Sequence, residues 1–432
     1  MAFSEKSGSF KVKDISLALQ GEKNIAWADS QMLALAKVRD GFRKEKPFKD
    51  LAVGMALHIT KETANLVETL RAGGAEVAIT GCNPLSTQND VAAALAKRGV
   101  AIYGWRGETT KEYYDNLNLV IAFLRSALKK GKKLATIDDG CDLVSFIHQK
   151  HQDLIPGLIV GTEETTTGVI RLRAMEKDSA LKYPVIAVND NKTKHLFDNF
   201  YGTGQSTIDG IIRASSVLLA GRTLVIAGYG PCGQGVAKVA RGEGASIIVA
   251  EVDPVRALQA RMDGFQVMPM RKAANVGDIF VTLTGDINVI TPDIIKLMKD
   301  GAILANSGHF DVEIDIKGLH KMAKKVELTR PGFEKFTLSN GKTVFLCGEG
   351  RLVNLACAEG HPSTVMSLSF CGQALAVEYG VKNAGRLENK IYVLPESVDQ
   401  KIGFLQLEAL GIKIDRLTPE QKKYLSSWDV GT

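Results

Sequence analysis

Short apolar runs alternate with stretches of helical periodicity through most of the chain. From Leu51 onward the apolar runs lack a helical period, which is typical of strands buried on both faces of a sheet. The stretches between them repeat apolar residues every three to four positions, as amphipathic helices do. This alternation predicts an α/β protein with two doubly wound parallel-sheet domains and right-handed crossovers. In the first half, the predicted strands are 52–57, 76–80, 101–103, 134–137, 158–160 and 185–188.

The remaining predicted elements flank this pattern. Residues 1–50 are predicted to be helical. A linker over 192–206 contains a glycine turn and precedes a helix from about Thr207. Another helix is predicted over 363–379, and a short final helix is expected to begin at Thr418, whose hydroxyl suits an N-cap. Helices that separate the strands of the first half are predicted over 63–72, 90–98 and 113–129.

The segment 223–253 carries a glycine pattern between two predicted strands. Gly228, Gly230 and Gly233 follow a buried strand and open a helix. Such glycines permit a tight turn, close approach of the backbone to a pyrophosphate and close helix–strand contact. The next strand ends in Glu251, whose carboxylate suits both ribose hydroxyls and repels a 2′-phosphate. The segment therefore predicts a Rossmann domain that binds NAD rather than NADP. Strands of this domain are predicted over 224–227, 247–250, 279–283, 302–305 and 344–347.

The composition is that of a globular enzyme. The 432 residues suggest two or three domains, and 45% of them are hydrophobic. A formal charge of +6 with scattered Lys and Arg indicates no nucleic-acid surface, and no apolar run has the roughly 18 residues of a membrane span. The six cysteines show no paired spacing, and no signal peptide is recognised, so a cytoplasmic protein is predicted. His148 and His151 lack further ligands nearby; they are assigned to a surface helix face, and no metal site is predicted.

Polar side chains follow four of the predicted strands at the point where each strand ends. Any one of them alone would be read as a helix cap. Open α/β proteins bind ligands where the carboxyl ends of parallel strands meet, so the four strand ends together predict a shared substrate pocket. The residues are His58, Asp138, Asp139, Glu163, Glu164, Asn189 and Asp190.

A series of ordered motifs extends from the first of these strands almost to the end of the chain. They are Leu57-His-Ile-Thr-Lys-Glu-Thr63, Asp138-Asp-Gly-Cys-Asp142, Glu163-Glu-Thr-Thr-Thr-Gly168, Val188-Asn-Asp190, Lys194 with Phe197-Asp-Asn199, Gly228-Tyr-Gly230, Gly308-His-Phe-Asp-Val-Glu-Ile-Asp315, Glu349-Gly-Arg-Leu-Val-Asn354 and Gly360-His-Pro-Ser363. Together they closely resemble the S-adenosylhomocysteine hydrolase family. The resemblance implies a homotetramer with one tightly bound NAD per subunit. It also implies reversible hydrolysis of S-adenosylhomocysteine to adenosine and homocysteine.

The resemblance further implies a route in which NAD is a catalyst rather than a consumed substrate. Oxidation of the 3′-hydroxyl to a ketone makes the 4′ proton acidic. Homocysteine then leaves by elimination, water adds, and the ketone is reduced again. By resemblance, Lys194 is the base for the 3′-hydroxyl, held by Asn189, and His58 and Asp139 manage the 4′ proton and the 5′ group. Burial and the neighbouring nicotinamide are expected to lower the pKa of Lys194.

The other implied contacts divide between substrate and cofactor. Glu164 and Asp198 would hold the ribose hydroxyls, and His309 would contact the ribose from the NAD side, with Phe310 able to gate entry. The implied substrate-binding residues are Thr60, Glu62, Asp139, Glu164, Lys194, Asp198, Leu352, His361 and Met366. The implied cofactor-binding residues are Thr165, Thr166, Thr167, Gly228, Gly230, Gly233, Glu251, Thr284, Ser307, Gly308, His309 and Asn354.

The sequence predicts three parts of the chain. Residues 1–198 would form a substrate-binding α/β domain that is completed by about 363–410. Residues 199–362 would form the NAD-binding domain, and 411–432 a tail. The tail lacks the Lys and Tyr that often reach a neighbouring subunit's NAD in the family.

Four internal positions also depart from the family pattern. Thr203 stands where many members have a cysteine, and Arg256 replaces a common NAD-contacting asparagine. Leu283 and Asp286 also differ from the usual cofactor loop. With the shorter tail, these departures imply looser retention of NAD.

Three alternative functions remain open. An archaeal-type relative hydrolyses S-inosylhomocysteine, whose base presents an oxygen acceptor where adenine presents an amino donor. Thr60 and Glu62 fall at the base-reading positions, and a carboxylate accepts from an amino group, so adenine is favoured. A non-catalytic NAD-bound regulatory relative and an ordinary NAD dehydrogenase are the other two. The regulatory relatives tend to carry a long Ser-rich extension, and a dehydrogenase would release NADH as its substrate is consumed.

Overall fold

Two sheets make up this computed structural model, which describes residues 2–4 and 10–428. The strands of the first sheet are β1 (Ala2–Ser4), β2 (Phe10–Val12), β3 (Leu51–Ala56), β4 (Glu76–Thr80), β5 (Ala101–Tyr103), β6 (Lys133–Asp138), β7 (Leu158–Glu163), β8 (Val185–Ala187) and β17 (Ile391–Tyr392). The strands of the second sheet are β9 (Thr223–Ala227), β10 (Ser246–Ala250), β11 (Gln266–Val267), β12 (Ile279–Thr282), β13 (Ala302–Asn306), β14 (Ala323–Arg330), β15 (Phe333–Leu338) and β16 (Thr343–Cys347).

Helices connect most consecutive strands, as the alternating pattern predicts. The helices are α1 (Ala18–Gln31), α2 (Leu33–Glu45), α3 (Lys61–Ala72), α4 (Asn89–Lys97), α5 (Thr110–Lys129), α6 (Asp142–Lys150), α7 (Thr166–Lys177), α8 (Lys192–His195), α9 (Thr203–Ser215), α10 (Pro231–Gly242), α11 (Pro254–Met262), α12 (Met270–Ala273), α13 (Pro292–Ile295), α14 (Ile316–Met322), α15 (Val353–Ala356), α16 (Ser363–Lys382), α17 (Glu396–Ala409) and α18 (Pro419–Leu425). No helix of the described residues is long and apolar enough to cross a membrane.

The first sheet has the strand order β1-β2-β5-β4-β3-β6-β7-β8-β17, and only the β1–β2 pair is antiparallel. Successive side chains of a strand point to opposite faces. Val53 and Met55 accordingly pack into one hydrophobic core, while Ala52 and Ala56 pack into the other. Both faces are therefore covered, which explains why these strands read as continuous apolar runs. Helix α16, far along the chain, returns to cover this sheet.

The second sheet has the strand order β11-β10-β9-β12-β13-β16-β15-β14. Its first six strands are parallel and follow, in chain order, the 3-2-1-4-5-6 arrangement of a complete Rossmann sheet. The last two form an antiparallel hairpin on β16, which the sequence analysis missed. The α/β fold class with two parallel-dominated sheets is confirmed.

The segment predicted as a linker with a glycine turn is helical except for two turn residues, Leu196 and Phe197. Helix α8 is followed by one π-helical turn, Asp198–Gly202, and α9 begins directly at Thr203. The predicted turn and the predicted start near Thr207 are therefore wrong. A β carbon on Gly235 would lie 2.0 Å from the carbonyl oxygen of Phe200, so the π turn packs directly on the backbone of α10. π turns are frequent at functional sites.

Three other predictions need correction or limitation. Residues 1–50 are not all helical, because β2 lies before the first helix; residues 1 and 5–9 lie outside the described residues. His148 is buried rather than on a surface face, since its Nδ1 contacts the Val144 carbonyl at 2.7 Å and its ring stacks on Tyr183. The predicted final helix is confirmed, with the Thr418 hydroxyl accepting from the Gln421 N–H, but residues 429–432 are not described.

Candidate active site

A cavity of about 970 Å³ lies between the two sheets. It is lined by residues that follow strands of both sheets, such as His58, Glu164 and Gly228. Most of the predicted site residues line it, and Asn189 and Gly233 lie directly behind residues that do. The residues predicted for the pocket or its entrance that do not line the cavity are Asp138, Glu163, Asp190 and Phe310. The predicted convergence of strand ends is thus present in the structure.

His58 faces the cavity as a neutral imidazole. Its Nδ1 lies 2.8 Å from the hydroxyl of Ser86 and 3.2 Å from Cys82 Sγ. Its Nε2 lies 3.5 Å from Asp139 Oδ2. Burial lowers the pKa of His58 to about 4, against the attraction of Asp139. His58 is therefore available to accept a proton.

The carboxylates beneath the cavity are held by backbone N–H groups. Asp138 accepts from Asp139 and Val144, and Glu163 accepts from the N–H groups of Gly140 and Thr165. Burial raises the pKa of Asp138 to about 7 and the pKa of Glu163 well above its ordinary value. These two residues fix the loops that carry Asp139 and Glu164.

Lys194 lies at the centre of a buried polar cluster. Its Nζ is 2.7 Å from Asp198 Oδ2 and 3.9 Å from Glu164 Oε1. It also donates to Asn199 at 2.7 Å and to Asn189 at 3.4 Å. The expectation of a lowered pKa is wrong for this arrangement. Burial acts in that direction, but the carboxylates of Asp198 and Glu164 outweigh it and raise the pKa of Lys194. Asn199 is not among the predicted site residues, although it lies within the Phe197-Asp-Asn199 motif.

Two carboxylates beside Lys194 are oriented by distant parts of the chain. Glu164 accepts from Ser369 and, at 2.5 Å, from Gln373, both on α16. Burial raises the pKa of Glu164 to about 7, against the attraction of Lys194. Asp198 accepts from Lys194 and contacts His361 Nδ1 at 2.5 Å. Burial acts to raise the pKa of Asp198, but these two contacts hold it well below its usual range.

His309 reaches from the second sheet onto the loop that follows β6. Its Nδ1 lies 3.5 Å from Asp139 Oδ1, and a β carbon on Gly140 would lie 2.4 Å from its Nε2. Asn306 supports this loop by donating to the carbonyls of Gly308 and Phe310 and accepting from the Gly308 N–H. His58, Asp139 and His309 therefore form one row across the cavity.

The three fingerprint glycines perform the predicted steric roles. Gly228 has a φ of +98°, and a β carbon there would lie 3.0 Å from the Leu283 carbonyl oxygen. At Gly230 a β carbon would meet nothing closer than 3.7 Å, which leaves the backbone open to a ligand. At Gly233 it would lie 2.1 Å from the Gly228 carbonyl oxygen, so the helix could not pack on the strand. This cradle fits a pyrophosphate.

The rest of the cradle fits the two ends of a dinucleotide. Glu251 follows β10 and is fixed by the N–H groups of Tyr229 and Val252. At the other end, the buried Asn354 Oδ1 has no hydrogen-bond partner among the described residues, while its Nδ2 donates to Ser206. An unpaired buried acceptor suits the amide of a nicotinamide.

Two further features complete the site. Glu313, which the sequence analysis did not single out, accepts from the backbone of Thr284 and Gly285 and so fixes the cofactor loop. His58, Cys82 and Asp139 place one ligand atom each within 4.8 Å of one another. Cys82 has no signal in the sequence that links it to the other two residues.

The fold and the cavity define a two-sheet α/β protein of the NAD-binding type. A family model described as S-adenosyl-L-homocysteine hydrolase matches residues 9–156, and the model of that family's NAD binding domain matches residues 199–360. The chain is 56% identical to the S-inosyl-L-homocysteine hydrolase of Methanocaldococcus jannaschii over 98% of this chain and 100% of that protein. It is also 56% identical to the adenosylhomocysteinase of Sulfurisphaera tokodaii and 55% identical to that of Aquifex aeolicus, with the same coverage.

This chain therefore belongs to the S-adenosyl-L-homocysteine hydrolase family, as its motifs predict. Its cofactor is NAD, since the domain that carries the glycine cradle is the family's NAD binding domain.

Proposed function

We propose that the protein hydrolyses S-adenosylhomocysteine reversibly to adenosine and homocysteine through transient oxidation at the 3′ carbon. The observation that carries the proposal is the position of Lys194, within one cavity that also holds the glycine cradle and His58. When bound, NAD supplies the reversible oxidation of the 3′ carbon. The names of the relatives, adenosylhomocysteinase and S-inosyl-L-homocysteine hydrolase, support the same chemistry.

The proposed roles follow from the contacts of each side chain. Lys194, in its neutral form, accepts the proton of the 3′-hydroxyl, and Asn189 and Asn199 direct its Nζ towards the cavity. Glu164 and Asp198 accept hydrogen bonds from the ribose hydroxyls. These two carboxylates are held by α16 and by His361, so they present fixed acceptors.

The second half of the reaction is assigned to the row across the cavity. His58 is neutral, so one of its ring nitrogens has a free lone pair, which suits the residue to take the 4′ proton. Asp139 lies between His58 and His309, at 3.5 Å from each, and can hold the proton or the attacking water near the 5′ carbon. Thr165, Thr166 and Thr167 hold the nicotinamide end with Asn354.

The proposed base is adenine. Glu62 Oε1 accepts from Ser363 at 2.6 Å and lies 3.4 Å from Lys61 Nζ, so Oε2 remains for the ligand. A carboxylate oxygen accepts from an amino group and repels a carbonyl. The relative named S-inosyl-L-homocysteine hydrolase makes inosine the second candidate. Preference for inosine over adenosine in the synthetic direction would reverse this assignment.

The test of the reaction uses the purified NAD-loaded protein with adenosine and homocysteine. Formation of the thioether and the absorbance of bound NADH are followed together. Lys194→Ala is expected to retain NAD but fail to reduce it with adenosine. Lys192→Ala is the matched control, because Lys192 is exposed and pairs with Glu396. Substantial NAD reduction by the Lys194 variant, or no solvent deuterium at the 4′ carbon of recovered nucleoside, would contradict the proposed route.

We also propose a homotetramer located in the cytoplasm. The exposed apolar side chains of the last segment support an oligomer, since Leu417, Leu425 and Trp428 are 49%, 69% and 96% exposed. Six free cysteines fit a reducing compartment. The division of the chain into a substrate-binding domain, an NAD-binding domain and a tail, with boundaries at residues 198, 362 and 410, stays a prediction. Light scattering on the purified protein measures the oligomeric state, and a monomer would contradict this assembly.

A further inference from the structure

Lys61 occupies a position behind the base pocket that the reaction scheme leaves without a role. It is the first residue of α3, directly beside the proposed base-reading residue Glu62. Its Nζ lies 3.4 Å from Glu62 Oε1, and its side chain is only 12% exposed. Burial acts to lower the pKa of Lys61, but Glu62 and Glu359 together raise it, so the side chain stays charged.

The same ammonium group contacts the NAD-binding domain. Its Nζ lies 3.0 Å from Glu359 Oε2, on the loop between α15 and α16. That loop continues into Gly360 and His361, and His361 contacts Asp198, a member of the buried polar cluster around Lys194. The side chain of Gln88 also donates to the Glu359 carbonyl, at 3.4 Å. Lys61 thus joins two carboxylates that belong to different halves of the cavity wall.

We infer that Lys61 is a positioning residue that holds Glu62 by Oε1, so that Oε2 faces the base, and fixes the Glu359 loop of the NAD-binding domain over the nucleoside. The inference rests on the proposed function and identifies a specificity determinant of that site. Glu62 is 2% exposed, and Lys61 and Ser363 both contact its Oε1, so the orientation of the carboxylate in the cavity wall is fixed. A carboxylate oxygen held towards the base accepts from the amino group of adenine and repels the oxygen of hypoxanthine, so Lys61 opposes acceptance of inosine.

The two contacts of Lys61 are separable by substitution. Lys61→Met removes the charge and retains most of the apolar stem, so Glu62 keeps Ser363 as a partner and Glu359 keeps Arg213, at 3.4 Å. Glu359→Gln removes the ion pairs of Glu359 with Lys61 and with Arg213 and leaves Lys61 beside Glu62. Lys111→Met is the matched control, since Lys111 is exposed and pairs with Asp115 at 2.7 Å.

The experiment measures adenosine and inosine binding to the NAD-loaded protein at equilibrium, together with kcat and KM for both nucleosides in the synthetic direction. Lys61→Met is expected to weaken adenosine binding about three- to tenfold and to lower the adenosine-to-inosine ratio at least threefold. Glu359→Gln should weaken the binding of both nucleosides alike, by about two- to fivefold, because Glu359 is itself 61% exposed and solvent weakens its ion pairs. In both variants kcat should stay within about twofold, because neither residue contacts the reacting atoms.

The outcomes decide between positioning and a merely structural role. Unchanged nucleoside binding in Lys61→Met, or an equal loss for adenosine and inosine, would overturn the inference. So would a kcat loss without a KM change. The double variant Lys61→Met/Glu359→Gln tests the ion pair between these residues. If its loss of binding free energy equals the sum of the losses in the two single variants, the shared ion pair is excluded. A wild-type protein that binds adenosine but forms no thioether contradicts the proposed function, while the binding ratios still decide the role of Lys61.

Discussion

The buried pair Lys194–Asp198 leads to a quantitative prediction about pH. Asp198→Asn removes one negative charge while keeping the shape of the side chain. The wild-type carboxylate lies 2.7 Å from Lys194 Nζ, and the side chains are 5% and 4% exposed, so solvent ions screen the pair little. Lys194 then keeps Glu164, at 3.9 Å, as its nearest carboxylate.

The size of the effect follows from this geometry. The carboxylate charge is shared by two oxygens and only one of them is 2.7 Å from Nζ, so the centres of charge are about 4 Å apart. At an effective dielectric constant near 20, unit charges at that separation interact by about 4 kcal/mol. Since about 1.4 kcal/mol corresponds to one pKa unit, the substitution should lower the pKa of Lys194 by about 2 to 3 units. The neutral form of the lysine is the form that can act as a base, so it should appear at correspondingly lower pH.

Reduction of bound NAD by adenosine in a single turnover, followed by absorbance across a pH series, tests this prediction. The midpoint of the rate should move down by about 2 to 3 pH units in Asp198→Asn. The maximal rate should fall, because Asp198 also contacts His361. Asp153→Asn is the control, since this exposed carboxylate pairs with Arg125. An unchanged midpoint in Asp198→Asn would refute the reasoning that Asp198 sets the proton affinity of Lys194.

Two further predictions concern residues outside that pair. Burial raises the pKa of Glu108 to about 8, so the folded protein holds this proton more tightly than the unfolded chain does. The resulting stabilisation is complete below about pH 4.5 and is lost as the pH rises to about 8, by up to roughly 5 kcal/mol. Glu108→Gln should therefore show a smaller fall in melting temperature between pH 5 and 9 than wild type, and an equal fall would contradict this. Gly140→Ala should lower adenosine-dependent NAD reduction at least tenfold with NAD still bound, because the new β carbon would displace His309. Gly131→Ala, at a similar positive φ with open space around it, should leave that reaction unchanged.

The sequence was most informative where the chemistry is local. Gly228, Gly230 and Gly233 have roles set by backbone geometry within a few residues, and all three lie as predicted. The strand ends that carry His58 and Asp139 were also predictable, because buried strands read as apolar runs. By contrast, β14 is mostly exposed and alternates charged with apolar residues irregularly, so no clear period marks it.

Long-range contacts account for most features of the site that could not be predicted from the sequence. Ser369 and Gln373 orient Glu164 from α16, about two hundred residues away, and neither belongs to a recognisable motif. Burial of His148 depends on Tyr183, which follows it only after another strand. The charge state of Lys194 depends on carboxylates whose distances no spacing rule supplies.

His58 and Lys194 are buried bases in the same cavity, but they differ in charge because different numbers of carboxylates lie beside them. Burial acts to lower the pKa of both His58 and Lys194. At His58 the single nearby carboxylate, Asp139, is 3.5 Å away and is shared with His309, so burial prevails and the ring is neutral. At Lys194 two carboxylates face one ammonium, and their attraction prevails. His58 can therefore accept a proton at once, whereas Lys194 must first lose one. The rate of the oxidation step, which uses Lys194, should accordingly depend more steeply on pH than the rate of 4′ proton removal by His58.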